Sequence, residues 1–146
     1  MTIEDDVALL ERVPSLRLLG TAALRMLAIG SEQRNLTRGS VLFRAGEEAD
    51  AGFIVQRGMI RVEDGGAAVV AGPGALIGEL ALITAMRRPS TATALENSSV
   101  IRVARSLFQR VLESDPNAAR QLRDEMARRT SQIASDILMA GAKLGF

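Results

Sequence analysis

The chain has 146 residues, of which 47% are hydrophobic and 24% charged, and its formal net charge is +1. That length supports one domain with a real core, and so small a charge carries no polyelectrolyte signature of nucleic-acid binding. It contains no cysteine and no histidine, which excludes disulfides and thiolate catalysis and removes the commonest general base and metal ligand.

No apolar run approaches the ~20 residues of a membrane span, and the acidic opening Met1-Thr2-Ile3-Glu4-Asp5-Asp6 is unlike a secretory signal. The expectation is therefore a cytoplasmic, non-catalytic domain with no metal site and no membrane or direct DNA contact.

Residues 7–14 have helical spacing and stop at Pro14. A second helix is expected over residues 21–29, with Leu24, Met26, Leu27 and Ile29 as its apolar face and Gly30-Ser31 ending it. From residue 33 to residue 103 the pattern changes to short apolar or alternating runs punctuated by glycine. Strands are expected at residues 35–37, 41–44, 52–56, 59–63, 67–71, 76–77, 91–95 and 99–103. Asp64-Gly65-Gly66 is a hairpin turn, since both glycines tolerate positive φ. About eight short strands at this density imply a sandwich or jelly roll.

From Ala104 the chain returns to helix. Residues 105–114 carry Leu107, Phe108, Val111 and Leu112 at helical spacing, and Asp115-Pro116 breaks the run, with Pro116 suited to a first turn. A last helix is expected from about residue 117 to residue 139 or beyond. Its stripe of Leu122, Met126, Ile133 and Ile137 is interrupted by polar Arg129-Thr130. Three heptads or fewer is short for a self-sufficient coiled coil, so the stripe fits either a dimer seam or packing on the chain's own strands.

The most informative stretch is Gly78-Glu79-Leu80-Ala81-Leu82, followed nine residues after the Glu by Arg88 and then Pro89-Ser90-Thr91. Glycine lets a backbone approach a ligand closely, and the first turn of a helix offers free N–H groups to an anion. An arginine entering from the next segment can close a bidentate contact on a phosphate. A glutamate is wasted on a plain phosphate but suits a ligand that also carries hydroxyls. Phosphate plus sugar is the simplest ligand fitting this set. The bland alternative is a strand-to-helix turn with Glu79 favoured near its N-terminus. Arg87 and Arg88 are adjacent, and alternation into the next strand points them in opposite directions.

These residues resemble the phosphate-binding cassette of the cyclic nucleotide-binding domain family, which usually reads Gly-Glu-x-Ala-Leu, a variable tip, then Arg-x-Ala-Thr. Gly78, Glu79, Ala81, Leu82 and Arg88 fall on that pattern with its spacing. Upstream, Arg38 to Glu47 is similar to the family's glycine-bounded hairpin, and Phe53-Ile54-Val55-Gln56-Arg57-Gly58 to its next strand.

The resemblance implies an α+β, mainly β fold: an eight-stranded, jelly-roll-like β-roll flanked by N-terminal helices and two C-terminal helices. In one domain over 1–146, residues 1–32 would form the N-terminal helices, 33–103 the roll with its cassette at 78–91, and 104–146 the C-terminal helices. It further implies that Glu79 accepts from a ribose 2′-OH, that N–H groups around Leu80 and Ala81 meet a cyclic phosphate, and that Arg88 neutralises it.

Pro89 departs from the pattern. Relatives often carry Ala, Ser or Thr there and use its N–H, which proline lacks; Ser90 is the candidate replacement. The missing hydroxyl at Pro89 tilts the expected ligand from cyclic GMP towards cyclic AMP. In the last helix, the positions where catabolite-activator-type regulators meet the base with hydroxyls are Ile133 and Ala134, with Thr130 a nearby polar candidate.

The expected function is a non-catalytic regulatory module that binds a cyclic nucleotide, needs no cofactor, and switches its C-terminal helix. The effector protein is unknown, and a homodimer through that helix is one partner arrangement. The chain ends at Phe146 with no room for the helix-turn-helix of the transcription factors. The expectation is a free-standing sensor or an excised piece of something larger. The alternative is a degenerate roll serving protein interaction or dimerisation without nucleotide.

Overall fold

The computed structural model of the chain describes residues 2–125 together with 127 and 128. Its first helix, α1 (Ile3–Glu11), starts earlier than apolar periodicity predicts. A capping box sets that start: the Asp5 N–H donates to the Thr2 hydroxyl, and the Thr2 N–H donates to the Asp5 carboxylate, both at 3.1 Å. A short 3-10 turn (Leu16–Leu19) leads into α2 (Gly20–Gly30).

The buried face of α2 is Leu24, Leu27 and Ala28, an i, i+3, i+4 set, whereas Met26 is 47% and Ile29 65% exposed. The expected face was therefore too broad, because Met26 lies about 200° around the axis from Leu24, and Ile29 about 200° from Leu27.

Among the described residues ten strands follow: β1 (Glu32–Leu36), β2 (Val41–Phe43), β3 (Glu48–Ala49), β4 (Ala51–Arg57), β5 (Ile60–Asp64), β6 (Ala67–Ala71), β7 (Leu76–Ile77), β8 (Met86–Arg87), β9 (Thr91–Ala94) and β10 (Ser98–Ala104). They build two four-stranded antiparallel sheets, ordered β1-β10-β4-β7 and β2-β9-β5-β6, and a two-stranded ladder of β3 with β8. The result is an α+β fold of the jelly-roll-like kind. Its two extra strands beyond eight are the pair β3 and β8, each too short to show a period. β1 begins at Glu32, earlier than the expected residue 35; its Glu-Gln-Arg start is exposed, so no apolar alternation marks it.

The period-2 alternation of β4 and β10 divides the core in two. Phe53, Val55 and Val100 point into the roll with Phe43, Ile60 and Ala92. Ile54, Ile101 and Val103 point outward, under α1, α2 and α3 (Arg105–Glu113), where Leu10, Leu27 and Phe108 are fully or almost fully buried. A helical stretch over residues 116–125 follows, opened by the Asp115 carboxylate accepting from the Ala118 N–H. Leu122 is buried in the helix-side core. Of its stripe, Leu122 thus packs on the chain itself, while Met126, Ile133 and Ile137 lie outside the described residues.

Candidate functional site

β7 pairs with β4, Phe53 opposite Ile77, and delivers the chain to Gly78 at φ 78°, ψ 38°. Glu79–Leu82 then form one 3-10 turn rather than the first turn of a longer helix. So short an element has almost no macrodipole, and the expected helix-end attraction for an anion is correspondingly small. The Ala81 N–H, expected to face a phosphate, donates to the Gly78 carbonyl at 3.1 Å. Leu80, one residue earlier, carries the N–H that helix geometry leaves without an internal acceptor.

Arg88 arrives from the other side. Its backbone is clamped by the Gly46-Glu47 turn: the Arg88 N–H donates to the Glu47 carbonyl at 2.7 Å, and the Gly46 N–H donates to the Arg88 carbonyl at 2.8 Å. Its side chain runs inward and is only 5% exposed. Nη2 donates to the Ala51 carbonyl at 2.8 Å. The guanidinium carbon lies 4.2 Å from the ring centroid of Phe43 and 5.5 Å from that of Phe53.

Burial pulls the Arg88 pKa below its ordinary value, with Asp50 and Glu47 pulling it back and Arg102 adding to the fall. The group remains a cation, as arginine does in proteins. Among the described residues it forms no ion pair. A buried charge with no carboxylate in direct contact is costly, and an anionic ligand lowers that cost. Arg87, by contrast, is exposed and donates from Nη1 to the Gly46 carbonyl on the outside.

Between these two segments lies a cavity of about 330 Å³, within the size range of small-molecule sites. Gly78, Glu79, Leu80, Ala81, Arg88, Pro89 and Ser90 all line it, whereas Leu82, which also falls on the cassette pattern, is buried in the helix-side core. The remaining wall is apolar: Phe43, Val62, Leu76, Ile77 and Met86. Sequence reasoning did not assign these five to the site. The one signal for Phe43 was its place in the hairpin motif, in a chain with four Phe and no Trp or Tyr. The predicted base contacts Thr130, Ile133 and Ala134 lie outside the described residues.

The cassette is also tied to the helices. Arg105, first residue of α3, donates from Nη1 to the carbonyls of Ala49, Ala81 and Thr84 at 2.8, 3.2 and 3.1 Å. Among the described residues there is no group of three metal-ligating side chains, and no single helix is long and apolar enough to cross a membrane.

The family model of the cyclic nucleotide-binding domain matches residues 33–115. A cyclic nucleotide-gated potassium channel of Mesorhizobium japonicum is 32% identical over 127 residues, covering 87% of this chain and 36% of the channel. Lysophospholipase NTE1 of Pyricularia oryzae is 31% identical over 111 residues, which is 72% of this chain but 7% of the lysophospholipase. The chain thus spans about a third or less of either relative. The solved structure of a cyclic nucleotide-binding-like protein from Brucella abortus is 38% identical, with a TM-score of 0.66, covering 75% of this chain and 98% of that one.

Proposed function

Because the chain belongs to the cyclic nucleotide-binding domain family, we propose that its cavity takes a cyclic nucleotide, cyclic AMP in preference to cyclic GMP, and that the domain acts as a regulatory module rather than an enzyme. One observation carries this reading: Arg88, a buried cation with no ion pair among the described residues, faces the same cavity as Gly78 and Glu79.

In this reading Arg88 neutralises the cyclic phosphate, Leu80 donates its N–H to it, and Glu79 accepts from the ribose 2′-OH. Pro89 supplies no N–H, and Ser90 takes over that contact. Phe43, Val62 and Met86 give the rest of the nucleotide an apolar wall. The preference for cyclic AMP follows from the absence of a hydroxyl at Pro89.

Regulation follows from differential affinity between two arrangements of the C-terminal helical segment. Arg105 is the physical link, since one guanidinium holds the end of the cassette turn and the start of α3 together. The effector is a protein partner in the cytoplasm, and a homodimer through the last helix is the assembly that transmits the change.

Pro89 favours a second reading, a degenerate roll serving protein interaction without nucleotide, because the donor it lacks is one that relatives use. Calorimetric titration of the chain with cyclic AMP and with cyclic GMP separates the two. Submillimolar binding, tighter for cyclic AMP, supports the first; no heat with either nucleotide supports the second.

A further inference from the structure

We propose that Phe43 is a positioning residue that holds the Arg88 guanidinium towards the cavity by stacking, so that with no direct ion pair among the described residues it stays open to an anionic ligand. The inference rests on reading the cavity as an anion site. A buried guanidinium needs a partner to fix its plane, and a carboxylate would do so at the cost of neutralising it. Here the partners are the Ala51 carbonyl and two phenyl rings.

Phe43 is the closer ring, at 4.2 Å from the guanidinium carbon to the ring centroid, well inside the ~6 Å limit for cation–π attraction. Phe53 stands at 5.5 Å and has a second arginine, Arg34, at 6.0 Å. The two rings lie 5.9 Å apart and tilted by 31°, forming one aromatic wall. Both line the inside of the roll, and Phe43 also lines the cavity.

The contact is set by tertiary pairing. Phe43 ends β2, whose partner is β9, the strand that Arg88-Pro89-Ser90 enters, and Phe43 pairs there with Ala92. The ring is therefore delivered by a strand, and the guanidinium by the short connection between β8 and β9, whose backbone the Gly46-Glu47 turn clamps at Arg88. Desolvation in this wall strengthens the ring–cation attraction and any interaction with an entering anion alike.

The test compares the wild type with Phe43→Leu, which keeps an apolar side chain but removes the ring, and Phe43→Tyr, which keeps the ring. In proton–nitrogen NMR of the ligand-free protein, the Arg88 side-chain resonances are expected to be displaced upfield by the ring. The displacement should collapse in Phe43→Leu and persist in Phe43→Tyr. Cyclic AMP affinity should fall about tenfold in Phe43→Leu and recover to within about twofold in Phe43→Tyr.

Undisplaced Arg88 resonances in the wild type overturn the proposal, and that measurement stands even if Phe43→Leu does not fold. Unchanged resonances or unchanged affinity in a folded Phe43→Leu overturn it as well. Should the wild type bind no cyclic nucleotide, the functional reading fails while the Arg88 resonances still decide what Phe43 does.

Discussion

A Cβ atom built on Gly78 lies 2.6 Å from Nη1 of Arg88. The glycine at the head of the cassette and the arginine nine residues after Glu79 thus form a single fitted unit. Gly78 also sits at φ 78°, where side chains are strained. Gly78→Ala should cost about 1–2 kcal/mol from backbone strain and should also push the guanidinium off its contact with Ala51. The expected outcome is a modest fall in Tm with a disproportionate loss of cyclic AMP affinity, read by calorimetry. Full affinity in the variant would show that the two residues do not work together.

Pro89 is exposed and lines the cavity. Pro89→Ala restores an N–H beside the Arg88 side chain. A hydrogen bond to a charged group is worth roughly 1.5–3 kcal/mol, but Ser90 already takes over that contact, so affinity for cyclic AMP should change by less than about threefold with little change in Tm. A Kd tighter by about tenfold or more would mean that Ser90 does not supply what Pro89 lacks.

Arg105 should matter to the stability of the cassette more than its partial exposure implies. Arg105→Ala removes donation to Ala49, Ala81 and Thr84 together, and a loss of about 2 kcal/mol is expected in urea unfolding. Hydrogen exchange should accelerate at the amides of Ile83 and Thr84, which close the cassette turn. Acceleration spread evenly over the chain would contradict a local tie.

Asp6 supplies a pH test. Burial raises its carboxyl above the ordinary 3.8, partly offset by the N-terminal charge and by donation from Gln56 Nε2 to Asp6 Oδ1 at 3.2 Å. The folded state therefore binds the Asp6 proton more tightly than the unfolded state. Its contribution to stability is fully present below 3.8 and is lost as pH rises through the raised folded value.

Asp6→Asn cannot ionise, and its amide oxygen still accepts from Gln56. The stability of the variant relative to wild type should therefore grow as pH rises above 3.8 and then level off. Glu4 and Asp5 shift downward, so urea titrations of both proteins must be subtracted. A difference that is flat or falls with pH would sink this account.

Much of this was written locally. Ala67–Ala71 and Leu76–Ile77 read correctly as strands because glycine turns bound short apolar runs, and the count from Glu79 picked Arg88 over Arg87. What could not be read arises from pairing between distant segments. Glu48–Ala49 and Met86–Arg87 become strands only by meeting each other. Phe43 and Val62 reach the cavity because β2 and β5 flank β9, with Val62 opposite Ala92. The start of α1 was legible in Thr2 and Asp5, but as a capping signal and not as periodicity.

The central claim, a cyclic nucleotide held by Arg88, is tested most directly by calorimetry on the wild type and Arg88→Ala with cyclic AMP, both first shown to be folded. The account predicts submillimolar binding to the wild type and at least about a tenfold weaker Kd in the variant, since a charge-assisted contact to the phosphate is lost. Equal affinity in the two proteins, or no binding to the wild type, would contradict it.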